Sequence, residues 1–401
     1  EILTLEDCLR IGIDNNLSLE GKRKEIQKSK YGVSENRSKL LPQINAIAGY
    51  NNNFDPPVSV TDGSSYGVPY NITKTLQHSA NAGLEMQMPL FNQTLYTSMS
   101  IAKVMEEISR LSYGKAREDV ILQISKMYYL GQVTAEQIML IKANITRLEE
   151  LRDITQAFFD NGMSMEVDLK RVNINLENLK VQYDNAQAMM KQQLNMLKYI
   201  MDYPAEKEIA LTPVNTDSIT TVALTGLSEN IYELQLSQSQ VQLAERQKKI
   251  ITNGYIPSLS LTGSWRYAAY TDKGYHWFHS GPSNQWFRSY GVGLTLRIPI
   301  FDGLDKTYKI KKAMIDIENK RLAWEDARKN LQTQYLNAVN DLMNNQRNFK
   351  KQKDNYLLAE DVYAVTSDRY REGIASMTEV LQDEMQMSEA QNNYISAHYN
   401  Y

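Results

Sequence analysis

The chain has 401 residues, a net charge of -3 and no block of basic residues, so it carries no electrostatic footprint for nucleic acid. Its 19 Gly and 10 Pro are too few to punctuate a compact fold of this length, so long uninterrupted helices are expected. No apolar run approaches the ~18 residues of a spanning helix, which excludes an inner-membrane protein, and with no signal peptide in the chain an exported protein is expected in mature or trimmed form.

In chain order, helix is expected from about Leu5 to Lys39 with a break near Asn15 and Asn16. Cys8 lies in "LEDCLRIGI", where its neighbours follow a helical apolar pattern, and reads as a small core residue rather than a reactive thiol. Strands follow near 43–53 and 80–90, separated by a polar loop at 54–79. Helices at 93–160 and 164–199 come next, broken by Gly162 in "DNGMSM". At 1.5 Å per residue, about seventy residues of helix span on the order of 100 Å. Leu169, Val172, Leu176, Leu179, Tyr183, Ala186 and Met190 recur at spacings of three and four, a coiled-coil seam. Ile101, Val104, Ile108 and Leu111 begin a similar seam, which Ile138, Ile141, Ile145 and Leu148 resume.

Residues 201–226, with two prolines and many Thr and Ser, read as a connection, after which the same order of elements returns. Strands are expected near 257–270 and 288–300 and helices at 303–371 and 375–401. "LLPQINAIAGY" answers to "YIPSLSLTGSW", "MPLFNQ" to "IPIFDG" and "FFDNGMSMEVDL" to "RYREGIASMTEVL". Pro42 and Pro257, Pro89 and Pro299, and Gly162 and Gly373 are 215, 210 and 211 residues apart. The chain is therefore a duplication, with repeats at 1–200 and 227–401 joined by 201–226.

The strands separate a rod from a channel. Leu259, Leu261, Gly263, Trp265 and Tyr267 alternate with Ser258, Ser260, Thr262, Ser264 and Arg266; Val292, Leu294, Leu296 and Ile298 alternate with Gly291, Gly293, Thr295 and Arg297. Ala82, Leu84, Met86 and Met88 alternate with Asn81, Gly83, Glu85 and Gln87 in the same way. A half-buried soluble sheet gives this alternation too. However, Glu85, Arg266 and Arg297 suit a wet lumen, and strands of about ten residues cross a bilayer when tilted. Leu259, Leu261, Leu294 and Leu296 are then expected to face lipid, with Trp265, Tyr267, Trp277, Trp286 and Phe287 at the interface belt. Four strands cannot close a barrel, and open edges in lipid cost roughly tens of kcal/mol. Copies must share one barrel: two give eight strands filled by side chains, while three give twelve and leave a passage.

These features together resemble the TolC-like outer-membrane efflux factors: the opening "LTLEDCLRIGIDNNLSL", "LLPQI" and "YIPSL" before the first strand of each repeat, "MPLFN" and "IPIFDG" after the second, and the glycine turns. The resemblance implies an α+β membrane protein in the cell outer membrane, extending into the periplasm. It further implies a homotrimer with a twelve-stranded β-barrel, a long coiled-coil helical tunnel, and residues 202–226 in its equatorial region. Implied partners are a periplasmic adaptor, an inner-membrane pump of resistance-nodulation-division type and outer-membrane lipid. Adaptor docking is implied at Gly162 and Met163 and at Gly373 and Ile374, and the periplasmic gate at Asp168, Tyr370 and Glu379. Ala375 stands where the family commonly has a basic residue, and Cys8 where alanine is more usual. Tyr401 corresponds to Met190, so a further C-terminal segment is expected. "SMTE" at 376–379 also fits a helix capping box, so gate and cap both remain open for Glu379.

Nothing points to catalysis. His276 and His279 form a pair in a loop with no Cys or carboxylate cluster beside it, so neither a metal nor a cofactor site is expected, and no phosphate-binding Gly loop is present. The expected function is a passive outer-membrane exit duct for small molecules in a tripartite efflux pump. A type I protein-secretion duct and a soluble coiled-coil scaffold are the alternatives.

Overall fold

The computed structural model describes residues 1–213, 226, 228, 230–272 and 286–401. Strand β1 (Ile2–Leu3) leads into helix α1 (Leu5–Asn15), which Thr4 and Asp7 close with a reciprocal capping box. Asn16 makes the break before α2 (Leu17–Ser38). Its side-chain oxygen accepts from the Leu19 amide at 3.1 Å, while its Nδ2 donates to the Ile200 carbonyl at 2.8 Å.

Strand β2 (Gln43–Asn52) and strand β5 (His78–Phe91) bracket a hairpin of β3 (Val58–Asp62) and β4 (Tyr70–Lys74). The stretch 54–79, expected as plain loop, is thus partly strand, because Val58, Val60, Tyr70 and Ile72 alternate with polar residues and pair across the turn. Helices α3 (Gln93–Asp160) and α4 (Glu166–Met201) follow, then β6 (Ala210–Leu211) and α5 (Tyr232–Asn253). Strands β7 (Ser258–Thr271) and β8 (Trp286–Arg297) precede α6 (Asp305–Arg371) and α7 (Met377–Asn400). Strand β8 stops at Arg297, short of the expected 300, since Pro299 has no N–H for the ladder.

The strand motifs feed helices because their last polar residue is a cap. Asn92 accepts from the amides of Thr94 and Leu95, and Asp302, 210 positions later, accepts from the Lys306 amide at 3.1 Å.

The chain forms two compact units, each drawn from both halves of the sequence: Glu1–Glu25, Arg110–Leu236 and Glu325–Tyr401 in one, Ile26–Ser109 and Ser237–Trp324 in the other. The first is helical. Its main core takes Val172, Leu176, Leu179 and Ala186 from the α4 seam, with Ile141, Leu148 and Leu151 of α3. From α6 it takes Phe349, Tyr356, Tyr363 and Tyr370, every seventh residue, and from α7 Met377, Val380, Met387 and Tyr394. A strict seven-residue period is the spacing of helices wound left-handedly about one another.

A second cluster joins Leu3, Cys8, Leu19, Ile124, Tyr128, Leu197 and Met201. Burial pushes the Cys8 thiol up to about 11, so it acts as a small apolar residue. A side chain at Gly12 would collide with Ile124, so α1 approaches α3 closely there. Beside this cluster β1 pairs in parallel with β6, and the buried Lys198 ammonium donates to the Ala205 carbonyl at 2.6 Å and the Lys207 carbonyl at 3.3 Å.

Besides the β3–β4 hairpin, the second unit holds a four-stranded antiparallel sheet in the order β2, β5, β7, β8. Among the described residues, β2 and β8 each have one edge unpaired within the chain. No helix of the described residues is long and apolar enough to cross a membrane.

Removing a buried seam side chain should be felt strongly. Leu176→Ala is expected to destabilise the helical unit by about 2–5 kcal/mol, whereas Val181→Ala, on an exposed position of the same helix, should change stability by roughly 0.5 kcal/mol or less. Thermal unfolding followed by far-UV circular dichroism measures both.

Candidate functional site

Pairing registers sort the sheet into two faces. Ile44 opposes Met86, Ala46 opposes Leu84, Leu84 opposes Trp265, and Met88 opposes Leu261. Leu261 in turn opposes Leu294, Leu259 opposes Leu296, and Trp265 opposes Tyr290. Directly opposed residues share a face, so one face is apolar along most of all four strands, with Arg288 opposite Tyr267 and with Asn52, His78 and Thr271 at its far end. The other face brings together Asn45 with Glu85, Glu85 with Ser264, Gln87 with Thr262, and Ser258 with Arg297. Arg266 and Glu85 form an ion pair on it, diagonally across β5 and β7. A one-residue slip would reverse every side chain on a strand, so this agreement over three registers is a strong constraint.

The aromatic group divides. Trp265 and Tyr267 lie on the apolar face with ring centroids 5.5 Å apart, and Trp286, opposite Ala269, shares that face. Phe287 corrects the expectation: it opposes Ala268 and is one residue out of phase with Trp286, so the pleat turns it to the face of Arg266. Trp277, like His276 and His279, lies outside the described residues. Among the described residues no group of His, Cys, Asp and Glu is placed to hold a metal.

At the helical turns both glycines are left-handed, Gly162 at φ 71° and Gly373 at φ 76°. Met163 donates to the Phe158 carbonyl and Gly162 to that of Phe159; Ile374 donates to Arg369 and Gly373 to Tyr370. Each is the double bond of a Schellman cap, which requires a residue free of Cβ strain. The residue after each glycine is apolar and exposed, Met163 at 67% and Ile374 at 62%. Met165 and Val167 extend the exposed apolar tip in the first turn.

The three residues expected at a gate have separate surroundings. Asp168, in the first turn of α4, pairs with Arg171 at 3.4 Å, and the N-cap before it, Met165, offers no side-chain bond. Glu379 completes a capping box with Ser376, its Oε2 accepting from the Ser376 amide at 2.8 Å. That bond holds the Glu379 carboxyl below its ordinary range. Tyr370 is 5% exposed, packs on Phe158 with centroids 5.5 Å apart, and its hydroxyl donates to Thr155 Oγ1 at 3.4 Å. It thereby ties α6 to α3 within the chain.

Sequence reasoning missed a polar layer inside the helical core. Asn144 donates to Gln391 Oε1 at 2.6 Å, and Arg147 pairs with Glu360 at 2.9 Å while also reaching Asn144. Burial pushes the Glu384 carboxyl above its ordinary range, and the Arg147 charge offsets this only in part. A layer further along, Glu136 accepts from the Tyr394 hydroxyl at 2.7 Å and meets His398 Nδ1 at 2.8 Å. The only signal available was polar residues at heptad positions: Gln391 and Glu384 lie seven apart, on the register of Met377.

A family model described as "Outer membrane efflux protein" matches residues 11–201 and 227–401. The chain belongs to this family. It is an outer-membrane channel protein of efflux systems, and the soluble-scaffold alternative falls. The chain is 21% identical over 385 residues to the outer membrane protein TolC of Vibrio cholerae serotype O1, covering 92% of this chain and 81% of that protein. It is 23% identical over 363 residues to the probable efflux pump outer membrane protein TtgC of Pseudomonas putida, covering 85% and 70%. Among solved structures, VceC from Vibrio cholerae matches with a TM-score of 0.77 at 14% identity, over 98% of this chain and 92% of that one. The open-state MtrE channel of Neisseria gonorrhoeae matches at 0.75 and 18% identity, over 99% and 86%. At such identities the structural likeness carries the fold of the outer membrane efflux proteins.

The helical turns and the polar layer can be tested by three substitutions. Ser376→Ala should destabilise the start of α7 by about 1 kcal/mol, and Met165→Ser should stabilise α4 by a similar amount, both read as shifts in thermal midpoint. Because Glu384 is raised in the fold, its contribution is full below the ordinary value near 4.5 and is lost as pH rises through the folded value. Glu384→Gln should therefore melt above the parent at pH 7, with the gap closing as pH approaches 4.

Proposed function

We propose that the chain is the passive exit duct of a tripartite efflux pump, conducting small molecules such as drugs and toxic compounds from the periplasm through the outer membrane. The observation that carries this reading is an open four-stranded sheet with one apolar and one polar face. In hydrocarbon the free edges of β2 and β8 must be paired, and three copies do so as a twelve-stranded barrel wide enough for a passage. Leu259, Leu261, Leu294 and Leu296 then meet lipid, and Glu85, Arg266 and Arg297 line the lumen.

Residues 1–200 and 227–401 act as two repeats of one design, joined by 201–226. The exposed Met163 and Ile374 at the Schellman turns are the adaptor contacts, and an inner-membrane pump of resistance-nodulation-division type supplies the energy. No step of catalysis belongs to this chain. Asp168, Glu379 and Tyr370 form the gate, the first two as a ring of carboxylates and the third as a tie between helices.

The charged and structural roles can be separated. Glutamine at position 379 still accepts in a capping box, so Asp168→Asn with Glu379→Gln removes charge and leaves the turn intact. Single-channel recordings should show cation selectivity falling in that double variant and resting conductance rising in Tyr370→Phe. Unchanged selectivity and conductance would leave only the capping and packing roles. Met163→Ser with Ile374→Ser should abolish efflux in cells while detergent-solubilised trimers persist, since neither change disturbs the left-handed glycines. A monodisperse soluble monomer would overturn the duct itself.

A further inference from the structure

The ends of the sheet differ in charge. The fifteen residues flanking each strand of the four-stranded sheet on its helical side, 28–42, 92–106, 243–257 and 298–312, hold twelve Lys and Arg against five Asp and Glu. That is a net +7 in a chain whose total is -3. The stretches that join β2 to β5 and β7 to β8 in the sequence, 53–77 and 272–285, hold three Asp against two Lys. All four flanking stretches belong to the compact unit that holds the sheet.

Ten of the twelve cations are exposed; Lys248 and Lys306 are half-buried. Lys306 is held by Asp302 at 3.0 Å and lies 5.0 Å from the Tyr255 ring centroid, while Lys311 lies 5.7 Å from that of Tyr308. Lys248 and Lys249 of α5 and Arg321 of α6 line one groove between those helices, and Lys309 and Lys312 line another.

Next to the strand ends, exposed apolar side chains precede or accompany these cations along the chain. Ile300 is 94% and Phe301 80% exposed, and Leu41, Phe91, Leu304 and Tyr308 are exposed with them. Apolar and aromatic side chains followed within two turns by lysines match the layering of a leaflet, acyl boundary first and headgroups next. A surface bearing phosphate groups attracts each such cation within a Debye length of ~8–10 Å.

We propose that this basic collar binds anionic phospholipid headgroups of the leaflet on the helical side of the sheet, fixing the height of the barrel in the membrane. The proposal rests on the reading of the sheet as an outer-membrane barrel. Charge complementarity selects the occupant: an anionic leaflet satisfies a surplus of +7, whereas a second copy of the chain would bring the same surplus to the interface.

The full-length protein is reconstituted into vesicles of phosphatidylcholine alone and of phosphatidylcholine mixed with phosphatidylglycerol. Lipid carried through detergent extraction is then read by native mass spectrometry. Phosphatidylglycerol should be retained preferentially, the preference should shrink with added salt, and Lys249→Gln, Lys311→Gln and Lys312→Gln together should lower it on the order of tenfold. The same number of changes at exposed lysines of α6 far along the chain, Lys329→Gln, Lys350→Gln and Lys351→Gln, should leave it intact. Insertion with no preference for phosphatidylglycerol, or the same preference in the collar variant, overturns the collar and leaves the barrel standing. Dissociation of the collar variant into monomers overturns it in favour of contacts between copies. Failure to insert into either vesicle overturns both readings.

Discussion

The constraint on which the rest depends is that a backbone N–H or C=O in hydrocarbon has no water to bond. A sheet in the order β2, β5, β7, β8 satisfies its inner groups and leaves two rows unmet. In water those edges would be a modest liability; in a membrane each group costs several kcal/mol. In a bilayer the open edges of such a sheet would have to be completed by further strands, which is why a barrel shared between copies is proposed. The alternation on all four strands has a separate cause: a strand out of phase would put its polar side chains on the apolar face.

Helical packing solves a different problem. Phe349, Tyr356, Tyr363 and Tyr370 place one aromatic per heptad on α6 against apolar residues of α3 and α7. Uniform apolar seams of this kind permit sliding by a heptad, because every layer resembles the next. Asn144 with Gln391, and Arg147 near Glu384, interrupt that uniformity with groups that are satisfied in one register only. Among the described residues Arg147 Nε and Gln391 Nε2 have no hydrogen-bond partner, so the protein groups alone do not fully satisfy the layer. The pairing of Glu136 with Tyr394 and His398 acts in the same sense: burial alone would raise the Glu136 carboxyl, but these bonds hold it below its ordinary range.

The two halves of the chain have diverged in how they begin their last helices. Ser376 and Glu379 make a reciprocal box where Met165 and Asp168 make none, although the preceding Schellman turns are alike. In the first, with no side-chain cap, the Asp168 amide donates instead to the Met165 carbonyl at 3.0 Å. The first tip exposes three apolar side chains, Met163, Met165 and Val167, where the second exposes Ile374 and half-buries Ala375.

How much could be read beforehand follows from the range of each interaction. Period-two alternation in β7 and β8, the capping asparagine and aspartate after the strand motifs, and the left-handed glycines at 162 and 373 are local, and the amino-acid sequence by itself determined them. The burial of the α4 seam was legible for the same reason, since spacings of three and four identify a stripe without naming what covers it. Which element lies opposite was not local. Phe287 was legible in principle, since the pleat alone puts it in phase with Gly291 and Gly293, but Tyr370 found Thr155 215 residues away, and the charge of Arg147 on α3 acts on Glu384 of α7. A residue's own neighbours state which side of its strand or helix it occupies, but the partner on that side is chosen by packing of distant segments, and only the tertiary structure decides it.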